Sequence, residues 1–275
     1  MLQVNNLSFS YGPRLVLENI QMNLEPGKVY GLLGENGVGK TTLLTLLCGL
    51  KKPRTGEIRV DGQDPYRREP SLLERQFYLP DEVMPVRSTA LAFGKERGIF
   101  WPNFRLDKYN DLLKELEVDP QHRMDKMSAG QLKKTWIAFA IACRTPYYYM
   151  DEPTNGLDIP SKAQLRKIIA REMTDEMTFI ISTHQVRDLE NLIDPILVMN
   201  ERELIVNASL EEISEKLVFS YSDRIDPEAL YVEPIPGGVI QVKENRDGEE
   251  SKVNIEAFFN TVHLHKELIR NLFRK

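Results

Sequence analysis

The hydrophobic and polar positions change their rhythm several times along the chain. Residues 2–9 and 15–24 alternate apolar and polar side chains around a turn at Gly12-Pro13, the period of two shown by half-buried strands. Lys28 to Gly34 is instead an unbroken apolar run ending in glycine, as a strand buried on both faces reads. A glycine-rich turn follows, then a helix-like stretch from Lys40 to Cys48, with Gly49 where a helix stop belongs. Gly56 to Val60 predicts another strand, closed by an Asp61-Gly62 turn. From residue 82 to 127 strand-like runs disappear, charges rise, and Leu112, Leu113 and Leu116 recur at helical spacing. This stretch is expected to be a helical insertion, reaching about residue 143 with the apolar helix that follows it. Strand–helix alternation then returns. Tyr147 to Asp151 and Met177 to Ser182 read as strands, Pro160 to Met173 and Gln185 to Leu192 as helices. Pro195 to Met199 and Glu203 to Val206 read as a hairpin. The pattern predicts an α/β fold with a parallel sheet covered on both faces.

Residues 209–275 have a pattern of their own, and the expected division is 1–208 and 209–275. Ser209 and Glu212 predict a capping box for a short helix. Val239 to Val242 and Lys252 to Ile255 flank a polar loop holding Asp247-Gly248. One last helix is expected after it, with Ile255, Phe258, Phe259, Val262, Leu268, Ile269, Leu272 and Phe273 on one side, and Lys266, Arg270, Arg274 and Lys275 toward its end. That helix could pack on the rest of the chain, dimerise, or touch a membrane surface.

Composition narrows the function classes. The 275 residues carry 36 basic and 41 acidic side chains, a net charge of −5, which is a poor starting point for a nucleic-acid binder. Lys51-Lys52-Pro53-Arg54 and Arg67-Arg68 are too short to change that and read as solvated loops. Two cysteines make neither a disulfide framework nor a cysteine-rich zinc site, which favours a reducing compartment. The longest apolar run, Trp136 to Cys143, falls well short of the roughly 18 residues of a membrane span. A cytoplasmic location is therefore expected, with any membrane contact made through a partner.

The chemistry begins at Gly34-Glu35-Asn36-Gly37-Val38-Gly39-Lys40-Thr41, a full match to G-x-x-x-x-G-K-[ST] between a buried strand and a helix. The glycines let backbone N–H groups wrap around phosphates, and the helix from Lys40 adds the positive end of its dipole. Lys40 places an ammonium on the β/γ oxygens, and the Thr41 hydroxyl is a ligand for Mg²⁺. The apolar strand Tyr147-Tyr148-Tyr149-Met150 ends in Asp151-Glu152. An acid at the carboxyl end of a central strand stands where open α/β sheets bind ligands. Asp151 suits the metal, and Glu152, one residue on, suits polarising an attacking water. The three tyrosines are odd for a buried strand, because each hydroxyl needs a partner.

Between these motifs lies Met127-Ser128-Ala129-Gly130-Gln131, which resembles the Leu-Ser-Gly-Gly-Gln signature of ABC ATPases. With the cradle, the Asp-Glu pair, the Asn155-Gly156-Leu157-Asp158 loop and His184 in this order, about residues 1–208 strongly resemble the nucleotide-binding subunit of an ABC transporter. The resemblance implies an α/β P-loop NTPase core of the ABC-ATPase kind, a mostly parallel sheet plus an antiparallel β subdomain, with a helical insertion and a small C-terminal α+β extension. The compact insertion and appended tail lean toward the exporter-type branch. It implies ATP and Mg²⁺, a head-to-tail dimer with a second ATPase subunit, and permease subunits on separate chains in the membrane. Tyr11 matches the aromatic that stacks on adenine, with Val16 an apolar contact beside it. Gly34 to Thr42, including Thr42 itself, matches the phosphate-wrapping segment. Ser128, Ala129, Gly130 and Gln131 match the signature that contacts the γ-phosphate on the opposite subunit, and Asp158 the loop linking the two sites. Lys40, Glu152 and His184 match the catalytic set, and Thr41, Asp81 and Asp151 the metal-site positions.

Three departures stand out. Ala129 replaces the first signature glycine, Asp81 in Phe77-Tyr78-Leu79-Pro80-Asp81 stands where the family has glutamine, and Lys133-Lys134 follow the signature where arginine is frequent. Phe93, Phe100, Trp101 and Phe104 lie in the insertion, either as its own core or as part of a groove for the permease. The alternative function is a soluble ABC ATPase acting on a ribosome or nucleic-acid partner. A single cassette, a short insertion and an acidic balance argue against it. A nucleotide-gated module with little turnover is opposed by the presence of both Glu152 and His184.

Overall fold

The computed structural model describes residues 1–274, so Lys275 lies outside the described residues. Among the described residues the strands are β1 (Leu2–Tyr11), β2 (Arg14–Leu24), β3 (Lys28–Leu33), β4 (Thr55–Val60), β5 (Gln76–Leu79), β6 (Tyr147–Asp151), β7 (Thr178–Thr183), β8 (Ile196–Asn200), β9 (Glu203–Ala208), β10 (Leu217–Ser222), β11 (Tyr231–Ile235) and β12 (Gly238–Glu244). The helices are α1 (Lys40–Leu47), α2 (Pro70–Leu73), α3 (Ala90–Arg97), α4 (Leu106–Glu115), α5 (Ala129–Ala142), α6 (Ile159–Glu172), α7 (Leu210–Lys216), α8 (Ile255–Leu264) and α9 (Lys266–Leu272).

The central sheet has the order β5-β6-β7-β3-β8-β9, parallel except for β9, which returns antiparallel to β8. Strands β6, β7 and β8 are buried at every position, which is why they read as continuous apolar runs without alternation. An antiparallel sheet, β2-β1-β4, packs beside it. Along β1 the inward residues are Leu2, Val4, Leu7 and Phe9, and the step from Val4 to Leu7 is absorbed by an irregular register at Asn5-Asn6. The register of the parallel strands aligns Leu33 with Thr183 and Asp151 with Ser182. The segments leaving β3, β6 and β7 therefore start side by side at one edge of the sheet.

The insertion is organised around Phe139 of α5. Phe77, Phe93, Trp101, Phe104, Tyr109 and Trp136 all lie with ring centroids 4.8–6.4 Å from it. Phe93, Trp101 and Phe104 thus belong to the insertion's own core, whereas Phe100 is 60% exposed. The tyrosines of β6 divide in the same way. Tyr147 donates to Asp61 Oδ1 at 2.7 Å, Tyr148 accepts the Thr145 N–H at 2.9 Å, and the buried Tyr149 hydroxyl has no partner.

Four local expectations change. The 185–192 stretch is one 3₁₀ turn, Val186–Asp188, followed by turns, not a helix. Arg166 donates to the Asp188 carbonyl that an α-helix would have offered to the Leu192 N–H, which bonds the Leu189 carbonyl instead. Helix α6 starts at Ile159, one residue before Pro160, because the Asp158 carboxylate caps it by accepting the Ser161 N–H at 2.8 Å. Lys252–Ile255, the run expected beyond the polar loop, is not one element: residues 252–254 lie outside any strand or helix and α8 starts at Ile255, while β12 pairs with β10 and β11. The final helix is two helices, broken at His265, whose ring donates to the Leu230 carbonyl at 2.7 Å.

The capping box of Ser209 and Glu212 is present at α7. Helices α8 and α9 pack on the cassette side of the molecule, with Lys266 bridging Glu201 and Glu203 and Arg270 reaching Glu203. Phe258, Val262 and Ile269 share one buried cluster with Val198 and Val206.

Candidate nucleotide site

Gly34 to Lys40 leaves β3 and turns into α1. Gly39 has φ 116°, and a Cβ there would sit 2.8 Å from the Leu17 side chain, so both conformation and space demand glycine. The same construction puts Val16 against the loop, its Cγ1 3.3 Å from that point. Lys40 is buried, and its ammonium donates to the Gly34 and Glu35 carbonyls at 2.7 and 3.2 Å. Burial lowers its pKa from the usual lysine value, against the fields of Glu152 and Asp151, which raise it. Glu35, Asn36, Gly37 and Thr41 are exposed at the mouth, and Glu35 lies 3.7 Å from His263 of α8.

Thr41 donates to Asp151 Oδ2 at 2.6 Å, and Ser182 donates to Asp151 Oδ1. A hydroxyl and a carboxylate held side by side at a helix N-terminus form an all-oxygen donor set that suits a hard cation such as Mg²⁺. Glu152 follows with φ 44°, in the left-handed region that an L-residue occupies at a cost of about 1–3 kcal/mol. Its N–H is pinned by the Ser182 carbonyl and hydroxyl, both at 3.1 Å. This turn points the buried Glu152 carboxylate at His184, whose Nδ1 lies 2.9 Å from Oε1, and at Lys40, 3.8 Å away. The spacing of the motifs did not reveal this contact between Glu152 and His184. Residue 11 is no core residue: Tyr11 is 46% exposed, with its ring edge-on to Phe9 and its hydroxyl 3.4 Å from Thr42 Oγ1.

The signature stands apart. Ser128 caps α5, accepting the Gln131 N–H at 3.2 Å while Gln131 Oε1 accepts the Ser128 N–H at 3.1 Å. Neither makes a hydrogen bond to the cradle among the described residues, and Ser128 and Ala129 are exposed. Ala129 occupies the first turn of a regular helix with negative φ, so alanine costs no backbone strain there. Gly130 is the tighter position: a Cβ would lie 3.2 Å from the Gly156 carbonyl of the neighbouring loop, which would have to give by a few tenths of an ångström.

Asp81 is turned to that loop as well. Its Oδ1 accepts from Asn155 Nδ2 at 3.1 Å and lies 3.8 Å from the ammonium of Lys133. The motifs mark Lys133 only as a positive charge after the signature and Asn155 only as part of its loop, and give Ser182 no role. The burial of Lys133 could have been read as well, since it lies on the i, i+4, i+7 stripe with Ile137 and Ala140, the buried face of α5.

A family model described as ABC transporter matches residues 17–155. The chain belongs to the ABC transporter family. The cassette is 32% identical to the lantibiotic transport ATP-binding protein SrtF of Streptococcus pyogenes, over 82% of this chain and 97% of that protein. It is 28% identical to the petrobactin import ATP-binding protein YclP of Bacillus subtilis, over 79% of this chain and 90% of that one. In fold it matches a solved ATP-binding subunit of an ABC transporter with a TM-score of 0.71 at 23% identity, over 78% of this chain and 91% of that one. The cassette is thus an ATP-binding and ATP-hydrolysing component of an ABC transporter, and the relatives favour transport over the soluble alternative. A relative named for import stands beside one named for lantibiotic transport, so the exporter branch is not singled out. No helix among the described residues is long and apolar enough to cross a membrane.

Proposed function

We propose that the cassette works as a head-to-tail pair that closes on two ATP molecules and drives separate permease subunits in the membrane. The observation that carries this reading is that one chain presents two half-sites with no hydrogen bond between them among the described residues. The cradle, with Lys40, Thr41, Asp151, Glu152 and His184, forms one, and the Ser128–Gln131 cap the other. The positive end of α5 suits the γ-phosphate held by a second copy. Met84, Ile99 and Phe100 give the insertion an exposed apolar group that supports docking of the permease. The cassette then sits on the inner membrane face through that partner.

In this reading Tyr11 stacks on adenine with Val16 at its side, while Gly34 to Thr42 wraps the phosphates. Lys40 lends its ammonium to the β/γ oxygens, and Glu152 accepts the proton of the attacking water. His184, already within hydrogen-bond distance of Glu152, orients that carboxylate and meets the γ-phosphate. Thr41 and Asp151 would hold Mg²⁺, and the ion would supply positive charge to offset that of the phosphates. Phosphate release from ATP by the purified protein tests the assignment. Glu152→Gln is expected to lose about 10²–10⁴-fold in turnover while still binding ATP, and Lys40→Ala to lose binding. Turnover by Glu152→Gln at the parent rate would overturn it.

A further inference from the structure

Lys133 is a buried cation that the hydrolytic mechanism does not use. Its side chain is only 4% exposed. Its ammonium donates to the Pro80 and Asp81 carbonyls at 3.2 and 2.7 Å and lies 3.8 Å from Asp81 Oδ1. Burial lowers its pKa, and the carboxylates of Asp81, Asp151 and Glu152 oppose that lowering, in that order. One ammonium thus stands in the field of three carboxylates around the nucleotide site. A buried charge without compensation is costly; Lys133 is the buried partner here, and the partly exposed Asp81 carboxylate, 3.8 Å away, is its counter-charge.

We propose that Lys133 is a positioning residue of the ATP site. It cancels the charge of Asp81, which replaces a neutral amide of the family pattern, and it ties the loop after β5 to the signature helix α5. Asp81 carries the tie one step further through Asn155 to the loop that leads to Asp158. The acid is thereby spent on a tether instead of on the metal, and no uncompensated negative charge faces the γ-phosphate. This inference rests on the ATP-site assignment above, and its test measures binding, so it does not depend on turnover.

The test compares dissociation constants for Mg²⁺ with the non-hydrolysable analogue AMP-PNP and with ADP, by calorimetry, in full-length variants. Lys133→Gln leaves Asp81 uncompensated and is expected to weaken AMP-PNP binding roughly tenfold, with a much smaller effect on ADP, which lacks the γ-phosphate. Asp81→Asn keeps the size and the acceptor for Asn155 while removing the charge. It is expected to tighten AMP-PNP binding, and when added to Lys133→Gln to restore most of the lost affinity. Should Lys133→Gln fail to fold, Asp81→Asn alone still decides the matter. Weaker AMP-PNP binding in Asp81→Asn, rescued by raised Mg²⁺, would mean that Asp81 is a metal ligand and would overturn the proposal. Equal weakening of AMP-PNP and ADP in Lys133→Gln, unrelieved by Asp81→Asn, would reduce Lys133 to a packing role. Failure of every variant and of the parent to bind either nucleotide would overturn the site assignment itself.

Discussion

Two neighbouring tyrosines of β6 should respond oppositely to the loss of one oxygen atom. Tyr148 stacks on Phe179 at 4.2 Å between ring centroids, and its hydroxyl accepts the buried Thr145 N–H at 2.9 Å. Tyr149, on the other face of the sheet, is fully buried with no partner for its hydroxyl, and burial pushes its pKa well above the ordinary tyrosine value. An unpaired buried hydroxyl costs about 1–3 kcal/mol relative to an apolar group of the same shape. Tyr149→Phe removes that cost and should stabilise the protein by about 1 kcal/mol. Tyr148→Phe strands the Thr145 donor and should destabilise it by about 1–3 kcal/mol. Equilibrium urea unfolding of both variants gives the comparison, read as midpoint shifts at unchanged slope. If Tyr149→Phe lost as much stability as Tyr148→Phe, its hydroxyl would have a partner and the reasoning would fail.

Phe139→Ala opens the aromatic cluster of the insertion and should cost about 3–5 kcal/mol, measured by the same urea titration. Gly39→Ala forces a Cβ toward Leu17 in a backbone region disfavoured for alanine; calorimetry should show ATP binding lost, and unfolding a deficit of about 1–3 kcal/mol. Glu172 joins α4 to α6: burial would raise its pKa, but hydrogen bonds from Lys108 and Arg171 outweigh burial and hold it below the ordinary value. A depressed carboxylate stabilises the fold above its unfolded value and loses that contribution as pH falls through the folded one. From about pH 4.5 downward the parent should therefore lose stability faster than Glu172→Gln in pH-dependent thermal unfolding.

The cassette core was readable because its constraints are local. Gly39 and Lys40 are fixed by spacing, and β3, β6 and β7 are fixed by burial on both faces, which leaves unbroken apolar runs. The tail was less readable for the opposite reason. Strands β10 and β11 are only partly covered, so polar residues such as Ser220 and Glu233 interrupt their pattern. Lys252–Ile255 mimics a strand because Val253 and Ile255 alternate, yet both anchor the entry to α8 in the core. Val186, Leu189 and Ile193 satisfy a helical period, but Arg166 takes the carbonyl that helix would use. Within the site, sequence order could name Glu152 and His184 but not their 2.9 Å contact, which depends on the positive φ at Glu152. Lys133 was legible only as a charge after the signature; its burial against the Pro80 and Asp81 carbonyls was not, because backbone partners leave no mark in the sequence.

The central claim is that one chain holds two half-sites completed by a second copy. Sedimentation velocity of Glu152→Gln, with and without Mg²⁺ and ATP, addresses it directly. The account predicts a monomer that doubles its mass when Mg²⁺ and ATP are added, and a return to monomer when Ser128→Arg is added to Glu152→Gln. A monomer throughout, with ATP bound, would contradict the shared site.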